Sequence, residues 1–358
     1  TVKKLFPPEG IRSYPAAQTK PALSRTVPTP GSKNCGKPEF SAQTNKSERQ
    51  RLWRIVYKSI MVLDQLVALA KKEKINVYSI AEIHEGNLRI ACVNPAHDCN
   101  DIYSVSKNFA TTAIGILVDR GIISLQDTVY DFFHSSYPDV CGDAWKKVTV
   151  EHVITQTIGI DRGLLDIDND DIYQYPSDDF LRIKLSAPLV YPAGTHFAYS
   201  DSNFYLAGRI VAQATGETLQ SFLQHELFLP LRFQGHAWAT CPHGHAIGGS
   251  GLYLSVRDMA HFGQLYLNKG VYEGKRILSE KWCEEAAKNH VTVDAANRIY
   301  YGYSFWRHRN VSAYQGNGMH GQIIYISPKR DLVVAWQCHD PEGASARLSD
   351  LLLDQETE

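Results

Sequence analysis

The feature that most constrains this chain is an apolar helix that carries a lysine close to its start. Residues 101–121 read DIYSVSKNFATTAIGILVDRG, and the near absence of a polar face after Lys107 predicts a helix buried on all sides. An ammonium group in such a helix is costly unless other groups pair with it. Lys107 therefore predicts that polar partners converge on this position. Ser104, three residues earlier on the same helix face, is the first of these partners.

The composition excludes several classes of partner and sets the scale of the fold. A length of 358 residues predicts about two domains with material for a sizeable core. The 37 Lys and Arg residues nearly balance the 38 Asp and Glu residues, which argues against nucleic acid or an anionic membrane as a partner. The most apolar run, SIMVLDQLVALA (59–70), is too short and too polar to span a bilayer.

The cysteines do not form a recognisable framework. There are seven of them, an odd number, and none forms a C-x-x-C pair. A disulfide scaffold is therefore not predicted for a chain of this length. Cys92 and Cys99 are close enough in sequence to bridge a loop, but free thiols fit the scattered spacing better.

Sequence periodicity divides the chain into blocks of different character. Seven prolines within residues 1–46 predict an extended arm. Apolar residues at helical spacing follow from Ser47 to Ala70, and two β-rich runs around Glu85-Gly86 then predict a hairpin. The C-terminal part returns to β structure, where the Pro328–Arg330 segment joins two apolar runs into a second hairpin. A final helix is predicted over residues 344–354.

This order of elements predicts an α+β fold. An antiparallel sheet is assembled from both ends of the chain and flanked by N- and C-terminal helices, with a helical domain inserted. The predicted units are the Pro-rich arm (1–46), an α/β domain built from 47–121 and 246–358, and the helical domain (122–245).

Three polar motifs stand against this background. Ser104 and Lys107 supply a nucleophile and a base, the pair that a serine hydrolase needs first. The run from Tyr199 to Asn203 precedes an apolar helix and is open to two interpretations, a helix N-cap or part of a catalytic site. In GNGMHGQIIYIS (316–327), glycines precede a strand and permit the close backbone approach that an oxyanion-binding strand requires.

Together the motifs resemble those of the penicillin-recognising serine enzymes, in which S-x-x-K, Tyr-x-Asn or Ser-x-Asn, and K-T-G occur in this order. The chain is similar to the branch that contains class C β-lactamases, D-alanyl-D-alanine carboxypeptidases, related esterases and 6-aminohexanoate-dimer hydrolases. The resemblance covers roughly residues 75–340 and includes linking segments such as VTVEHVITQTIGI (148–160) and YPAGTHFAYSD (191–201). It implies a β-lactamase/transpeptidase-like fold.

The resemblance also implies roles for individual residues. Ser104 would be the acylated nucleophile, Lys107 its first partner, and Tyr199 the group that moves a proton between nucleophile and leaving group. The backbone amides of Ser104 and of the residue after Gly321, which is Gln322, would form the oxyanion hole. Burial is expected to lower the pKa of Lys107.

Two departures from the family pattern bear on the substrate. Asp201 stands where the class C pattern has Asn, and it is expected to pair with Lys107. The third motif reads Met319-His320-Gly321, or Gly318-Met319-His320 in the other register, and contains no lysine. Since His320 is mostly neutral at pH 7, simple esters and neutral amides are expected to react better than penicillins.

Two further clusters resemble metal sites without matching them. The acidic run DIDNDD (166–171) lacks the glycine of an EF-hand loop and is interpreted as a solvated loop. His236, Cys241, His243 and His245 have the spacing of no standard zinc site and are interpreted as a loop beside the active site.

These observations predict a serine hydrolase that cleaves an ester or amide of a small-molecule or peptide-like substrate and requires no metal or organic cofactor. Within enzymes the alternatives are a D,D-peptidase and a β-lactamase. The alternative of another class is a catalytically silent homologue that binds peptidoglycan-like ligands or partner proteins. The resemblance favours a periplasmic or secreted location over a cytoplasmic one, and the oligomeric state stays open.

Overall fold

The structure, a computed structural model, describes residues 61–357. The predicted Pro-rich arm (1–46) and the first part of the helix predicted from Ser47 lie outside the described residues. The described chain contains ten α-helices, which alternate with thirteen strands and several short 3₁₀ turns. The helices are α1 Val62–Glu73, α2 Ser106–Asp119, α3 Val129–Phe133, α4 Val150–Ile154, α5 Phe180–Leu185, α6 Asp201–Thr215, α7 Leu219–Leu223, α8 Val256–Leu267, α9 Glu280–Ala286 and α10 Ala346–Thr357.

The strands form one large antiparallel sheet and two small ones. The large sheet has eight strands in the order β2-β1-β13-β12-β11-β10-β9-β8, and the small sheets are β3-β5-β4 and β6-β7. The strands are β1 Val77–His84, β2 Asn87–Cys92, β3 Cys99–Asp101, β4 Ala237–Trp238, β5 Leu252–Ser255, β6 Val271–Tyr272, β7 Lys275–Arg276, β8 Val291–Asp294, β9 Ile299–Tyr301, β10 Trp306–His308, β11 Tyr314–Gly318, β12 Gln322–Ser327 and β13 Leu332–Cys338.

Both ends of the described chain contribute to the large sheet. Strand β1 pairs with β2 through the turn at Glu85-Gly86, and on its other side with β13. Strands β12 and β13 form the second predicted hairpin, which turns at Pro328–Arg330. The final helix begins at Ala346 and ends at Thr357, slightly later than predicted. The prediction of an α+β fold is confirmed.

The sheet is covered on both faces, and strand alternation decides which residues meet which layer. Val333 and Ala335 belong to the larger apolar cluster, under α8 and α2, whereas Val334 and Trp336 belong to the cluster under α1 and α10. Every residue of β12 and β13 is consequently buried.

Helix α2 connects the sheet to the helical part of the chain. Every residue from Ser106 to Leu117 is buried, as its lack of a polar face predicts. It packs against α6, which also contacts α3, α4, α5 and α7. The predicted domain boundaries remain predictions.

Two further features of the described chain bear on the sequence analysis. The six cysteines within residues 61–357 are free, so Cys92 and Cys99 do not bridge a loop. None of the helices in these residues combines the length and apolar character that crossing a bilayer requires.

The close packing of α8 on the sheet predicts that replacing a helical glycine with alanine lowers the stability of the protein. A Cβ added at Gly263 would lie 2.5 Å from Val333 Cγ1 and 3.1 Å from Ile324 Cγ2. Gly263→Ala is therefore expected to lower the free energy of unfolding by about 1–3 kcal/mol through overpacking, although alanine favours helices. Chemical denaturation measures the change. Gly142→Ala is the control, because that glycine has nothing within 4 Å of an added Cβ. Equal stabilities of the two variants would contradict the packing argument.

Candidate active site

The backbone bends sharply just before Ser104 and so presents its side chain at the start of α2. Ser104 is half-buried and lies in a 3₁₀ turn, Tyr103–Val105, that continues directly into the helix. Tyr103 has a φ of 47°, a left-handed conformation that is rare for a bulky residue. The Tyr103 amide donates a 2.7 Å hydrogen bond to Asp101 Oδ1, which holds the bend. Such local strain is concentrated at functional sites.

Lys107 has a hydrogen-bond partner for each of its three ammonium protons. Its side chain is 1 % exposed, and Nζ donates to Ser104 Oγ at 2.7 Å and to Gly249 O at 2.7 Å. The third partner is Asp201 Oδ1, at 2.5 Å, which forms an ion pair. The predicted pairing of Asp201 with Lys107 is therefore confirmed, and a full donor set makes burial of the charge tolerable.

Tyr199 lies on the other side of the same ammonium group. Lys107 Nζ is 4.7 Å from the centre of the Tyr199 ring, within the range of a cation–π contact. The tyrosine ring packs in turn against Trp306, at 5.8 Å between ring centres, and against Tyr301 at 6.4 Å. Lys107 is thus the group that brings Ser104 and Tyr199 into one site.

The segment around Asp201 is more than a helix cap. Ser200 precedes α6, but its side chain makes no capping hydrogen bond to the helix. Its hydroxyl instead accepts from Leu164 N at 3.0 Å and bonds to Ser202 Oγ at 2.6 Å. Asp201, the first residue of α6, is only 6 % exposed, and the helix N-terminus favours its negative charge. The N-cap interpretation is therefore wrong for this run.

The charge on Lys107 is set by opposing effects. Burial lowers its pKa, but the interactions with Tyr199 and Asp201 together outweigh burial, so the pKa of Lys107 is raised. The expectation of a lowered pKa is therefore wrong, because it weighed burial without the carboxylate. Lys107 is a cation in the resting protein and holds its proton against Ser104 Oγ.

The Gly249 carbonyl is a partner that sequence reasoning missed. A Cβ at Gly249 would come within 2.7 Å of both Asp201 Cα and Cβ, and one at Gly248 would overlap the Phe204 carbonyl. The run GGSG (248–251) therefore lets the backbone lie directly on the first turn of α6. Three glycines in four residues are the signal in the sequence that could have found this contact.

A second buried lysine supports the same helix start and was also missed. Lys184 on α5 is fully buried, and its Nζ donates to Ser202 Oγ at 2.9 Å and to Asn203 Oδ1 at 2.6 Å. No carboxylate of the described residues forms a salt bridge with it, and burial holds its pKa well below the usual value. In sequence Lys184 reads as an ordinary polar position of the short helix FLRIKL.

Part of the acidic loop lies inside the site. Asp168 Oδ2 accepts a 2.6 Å hydrogen bond from Ser250 Oγ, and carboxylate oxygens of Asp166, Asp168 and Asp201 all lie within 4.8 Å of one another. Burial raises the pKa of Asp168, and Asp201 adds to the effect. The interpretation as a solvated loop is therefore wrong for Asp168. These oxygens could contact a cation, but one oxygen of Asp201 is already engaged by the Lys107 ammonium.

A further carboxyl group lies beside the nucleophile turn. Burial raises the pKa of Asp101 to about 6, and Asp168 adds to the effect, although hydrogen bonds with Tyr103 and Tyr253 oppose it. Together with Asp168 and Asp201, Asp101 gives this side of the site an acidic character that Lys107 offsets in part.

The third motif approaches the nucleophile turn as the glycines predict. A Cβ at Gly318 would overlap Ile102 O, and one at Gly316 would overlap Asn108 Oδ1, so only glycine fits at either position of β11. The turn Met319–Gly321 then joins β11 to β12, with His320 and Gly321 both at positive φ. The His320 ring lies 5.3 Å from the Tyr103 ring, next to Ser104.

The Gln322 side chain is buried and is not available to contact a substrate. It is 2 % exposed, and its side-chain amide is bonded to both Cys338 O and Cys338 N on the neighbouring strand. Its side chain is therefore committed to β13, and only its backbone amide could serve an oxyanion. That role remains a prediction. The backbone around Gly318, which touches Ile102, offers further amides near Ser104.

The His/Cys-rich loop makes separate local contacts. Tyr205 Oη donates to Cys241 Sγ at 3.3 Å, and His243 Nε2 lies 3.4 Å from an Asp178 oxygen. Within residues 61–357, the loop contributes to no cluster of metal-ligating groups.

Comparisons with known proteins are consistent with this geometry. The sequence model of the beta-lactamase family matches residues 95–357. The 6-aminohexanoate-dimer hydrolase of Paenarthrobacter ureafaciens is 26 % identical over 285 residues, which is 71 % of this chain and 70 % of that protein. The N-acetylmuramyl-L-alanine amidase of Bacillus subtilis strain 168 is 23 % identical over 319 residues and 72 % of each chain.

Solved structures share the fold. A 6-aminohexanoate-dimer hydrolase candidate from Bacillus anthracis superposes with a TM-score of 0.70 at 20 % identity, over 81 % of this chain and 80 % of that one. At this identity the likeness concerns the fold alone, and it confirms the β-lactamase/transpeptidase-like architecture that the motifs imply.

The ion pair predicts how the activity of this site depends on pH. Asp201→Asn removes a charge that raises the pKa of Lys107, so burial then dominates and the pKa falls. If hydrolysis requires loss of this proton, the rising limb of kcat/KM moves to lower pH by about 1–3 pH units. Ester hydrolysis measured from about pH 5 to about pH 10 tests this. Asp168→Asn serves as the graded control, with a smaller shift, because no hydrogen bond joins it to Lys107. Equal shifts would contradict control by the direct pair.

Proposed function

The chain belongs to the beta-lactamase family, and on that premise we propose that it is a serine hydrolase that cleaves an ester or amide bond through an acyl-enzyme on Ser104. The observation that carries the proposal is the 2.7 Å hydrogen bond from Lys107 Nζ to Ser104 Oγ, made by an ammonium that also binds Asp201. The fold alone does not require a buried lysine to contact a half-buried serine hydroxyl. Nucleophilic catalysis does require this contact, because a base must take the proton of the serine.

The first step transfers the acyl group to the protein. Ser104 Oγ attacks the substrate carbonyl carbon, and the hydroxyl proton passes through the Lys107 and Tyr199 pair to the leaving oxygen or nitrogen. The bond to the leaving group breaks as it receives this proton. Because the Lys107 pKa is raised, the pair must first lose one proton, and Asp201 sets how readily that happens. A water molecule then attacks the ester carbonyl and releases the acid.

Stabilisation of the negative oxygen is assigned to backbone amides. The Ser104 amide lies in the turn that leads into α2, where the helix dipole favours negative charge. The second donor is assigned to the backbone between Gly318 and Gln322, which the glycines bring against the nucleophile turn. His320 lies at the same end of β11 and is assigned to substrate contact.

The surrounding charges define the substrate class that we propose. Asp101, Asp168 and Asp201 lie on one side of the site, and His320 replaces the lysine of the family's third motif. Among the described residues of the site, a substrate carboxylate would meet these acidic groups, and the one permanent cation, Lys107, is already paired with Asp201. Neutral or amine-bearing esters and amides therefore fit better than anionic lactams. The two relatives named above are likewise a hydrolase and an amidase by name.

Covalent labelling tests the nucleophile. The protein is expected to react with a fluorophosphonate probe at Ser104, as located by mass spectrometry of the labelled peptide, and Ser104→Ala should remove the label without unfolding the protein. Ser106→Ala is the matched control: this neighbour is fully buried, and its hydroxyl accepts a hydrogen bond from Leu252 N at 3.2 Å. The Ser106→Ala variant should therefore still be labelled at Ser104.

Two outcomes would oppose the proposal. A label on another serine would move the nucleophile elsewhere. Absence of any label on a correctly folded protein would favour the alternative of a silent binding protein.

A double mutant tests whether Lys107 and Tyr199 move the same proton. Lys107→Met and Tyr199→Phe are each expected to lower kcat by about 100-fold or more, the usual scale for lost acid–base assistance. The double variant should lose much less than the product of the two effects, because both residues act on one proton path. Steady-state kinetics of ester hydrolysis gives the three values, with circular dichroism as the check on folding. Fully multiplicative losses would mean that the residues act independently.

A further inference from the structure

A cavity with a volume of about 540 Å³ lies beside the third motif. It is lined by residues of β11, β12 and α10 and by the turn Met319–Gly321 between β11 and β12. The Cβ directions of Gly316 and Gly318 point toward Asn108 and Ile102, on the nucleophile side. Because strand side chains alternate, Gln315 and Asn317 point to the other face, into this cavity.

Three buried polar atoms in this cavity have no hydrogen-bond partner among the described residues. They are Gln315 Oε1, Asn317 Oδ1 and His308 Nε2. Gln315 is only 3 % exposed, so its amide is almost entirely removed from solvent. Buried polar groups are bonded in more than about 90 % of cases, so three unpartnered ones around a single cavity call for an explanation. A bound small molecule that forms hydrogen bonds to these atoms would explain them.

A buried glutamine elsewhere in the same sheet shows the contrast. Gln337 on β13 is 1 % exposed, and both ends of its amide are engaged. Its Nε2 donates to Leu254 O at 2.7 Å, and its Oε1 accepts from Asn100 Nδ2 at 3.2 Å. In the same sheet, the fold thus satisfies the buried amide of Gln337 but leaves Gln315 Oε1 without a partner.

The charges around the cavity indicate the chemistry of its ligand. Among the described residues that line it there is no lysine or arginine, whereas Asp340 and Asp350 are both present. Asp340 accepts from Ser345 N at 2.5 Å, and Asp350 lies 3.4 Å from Arg309. The unpartnered amide oxygens require N–H donors, and the acidic groups disfavour an anion.

We propose that this cavity is a binding site for a small molecule that carries N–H donors, of the primary carboxamide or amine type. Its donors would bond Gln315 Oε1 and Asn317 Oδ1, and its apolar part would lie against Ile323 and Leu353, which also line the cavity. The cavity adjoins the proposed catalytic centre, because Gly318, His320 and Gly321 of the third motif also line it. Binding of such a molecule to Gln315 and Asn317 does not depend on the assignment of Ser104.

Side-chain amide NMR on the full-length protein tests the site directly. Glycinamide, which carries an ammonium and a carboxamide, is expected to shift the Gln315 and Asn317 side-chain amide signals in a saturable manner. N-acetylglycine, a probe of similar size with a carboxylate, should leave both signals in place. Absence of a saturable shift with glycinamide, or equal shifts with both probes, would overturn the proposal.

A stability comparison tests the unpartnered amide independently. Without any probe, Gln315→Leu is expected to raise the Tm by about 2–4 °C, because it removes a buried polar group that has no partner. The same variant should abolish the glycinamide response of Asn317. Gln337→Leu, the matched control, should lower the Tm, since it breaks two hydrogen bonds. Equal losses in both variants would show that bound water already satisfies Gln315 and would overturn the proposal.

Discussion

The site depends on one buried ammonium group and on the need to neutralise it. Lys107 Nζ is out of contact with water and holds three oxygens, of which only Ser104 Oγ comes from its own helix turn. Removing one partner of a buried ion pair costs about 3–5 kcal/mol, since the remaining charge stays desolvated. The loop that carries Gly249 and the start of α6 that carries Asp201 must therefore close on α2. The site therefore forms only when these three parts of the chain pack together.

Glycines make that convergence sterically feasible. Gly249 lies on Asp201, while Gly316 and Gly318 bring β11 against the residues that flank Ser104. A methyl group at Gly249 or Gly318 would meet backbone atoms, and one at Gly316 would meet the Asn108 side chain. Strand β11 thus places its glycines toward the nucleophile turn, and Gln315 and Asn317 toward the cavity on its other face.

Local sequence patterns predict much of this arrangement, whereas the features that depend on contacts between distant residues were missed. The helix spacing of Ser104 and Lys107, the two hairpins and the α+β order follow from periodicity within short windows. The Gly249 carbonyl lies 142 residues from Lys107, and no side-chain pattern marks a carbonyl as an acceptor. The direction of the Lys107 pKa was missed for a related reason, because it depends on how close the Asp201 carboxylate lies. The inward turn of Asp168 likewise depends on Ser250, 82 residues away.

The first turn of α6 contacts two buried lysines whose pKa values are shifted in opposite directions. Interactions with Asp201 and Tyr199 outweigh burial and raise the pKa of Lys107, whereas burial lowers the pKa of Lys184, which forms no salt bridge with a carboxylate of residues 61–357. Lys184 donates hydrogen bonds to Ser202 and Asn203 and thus fixes the helix start without bonding to Asp201. Two residues of the same type take different roles when their environments shift their pKa values apart. Here Lys184 orders the helix start, and Lys107 binds Asp201 and Ser104.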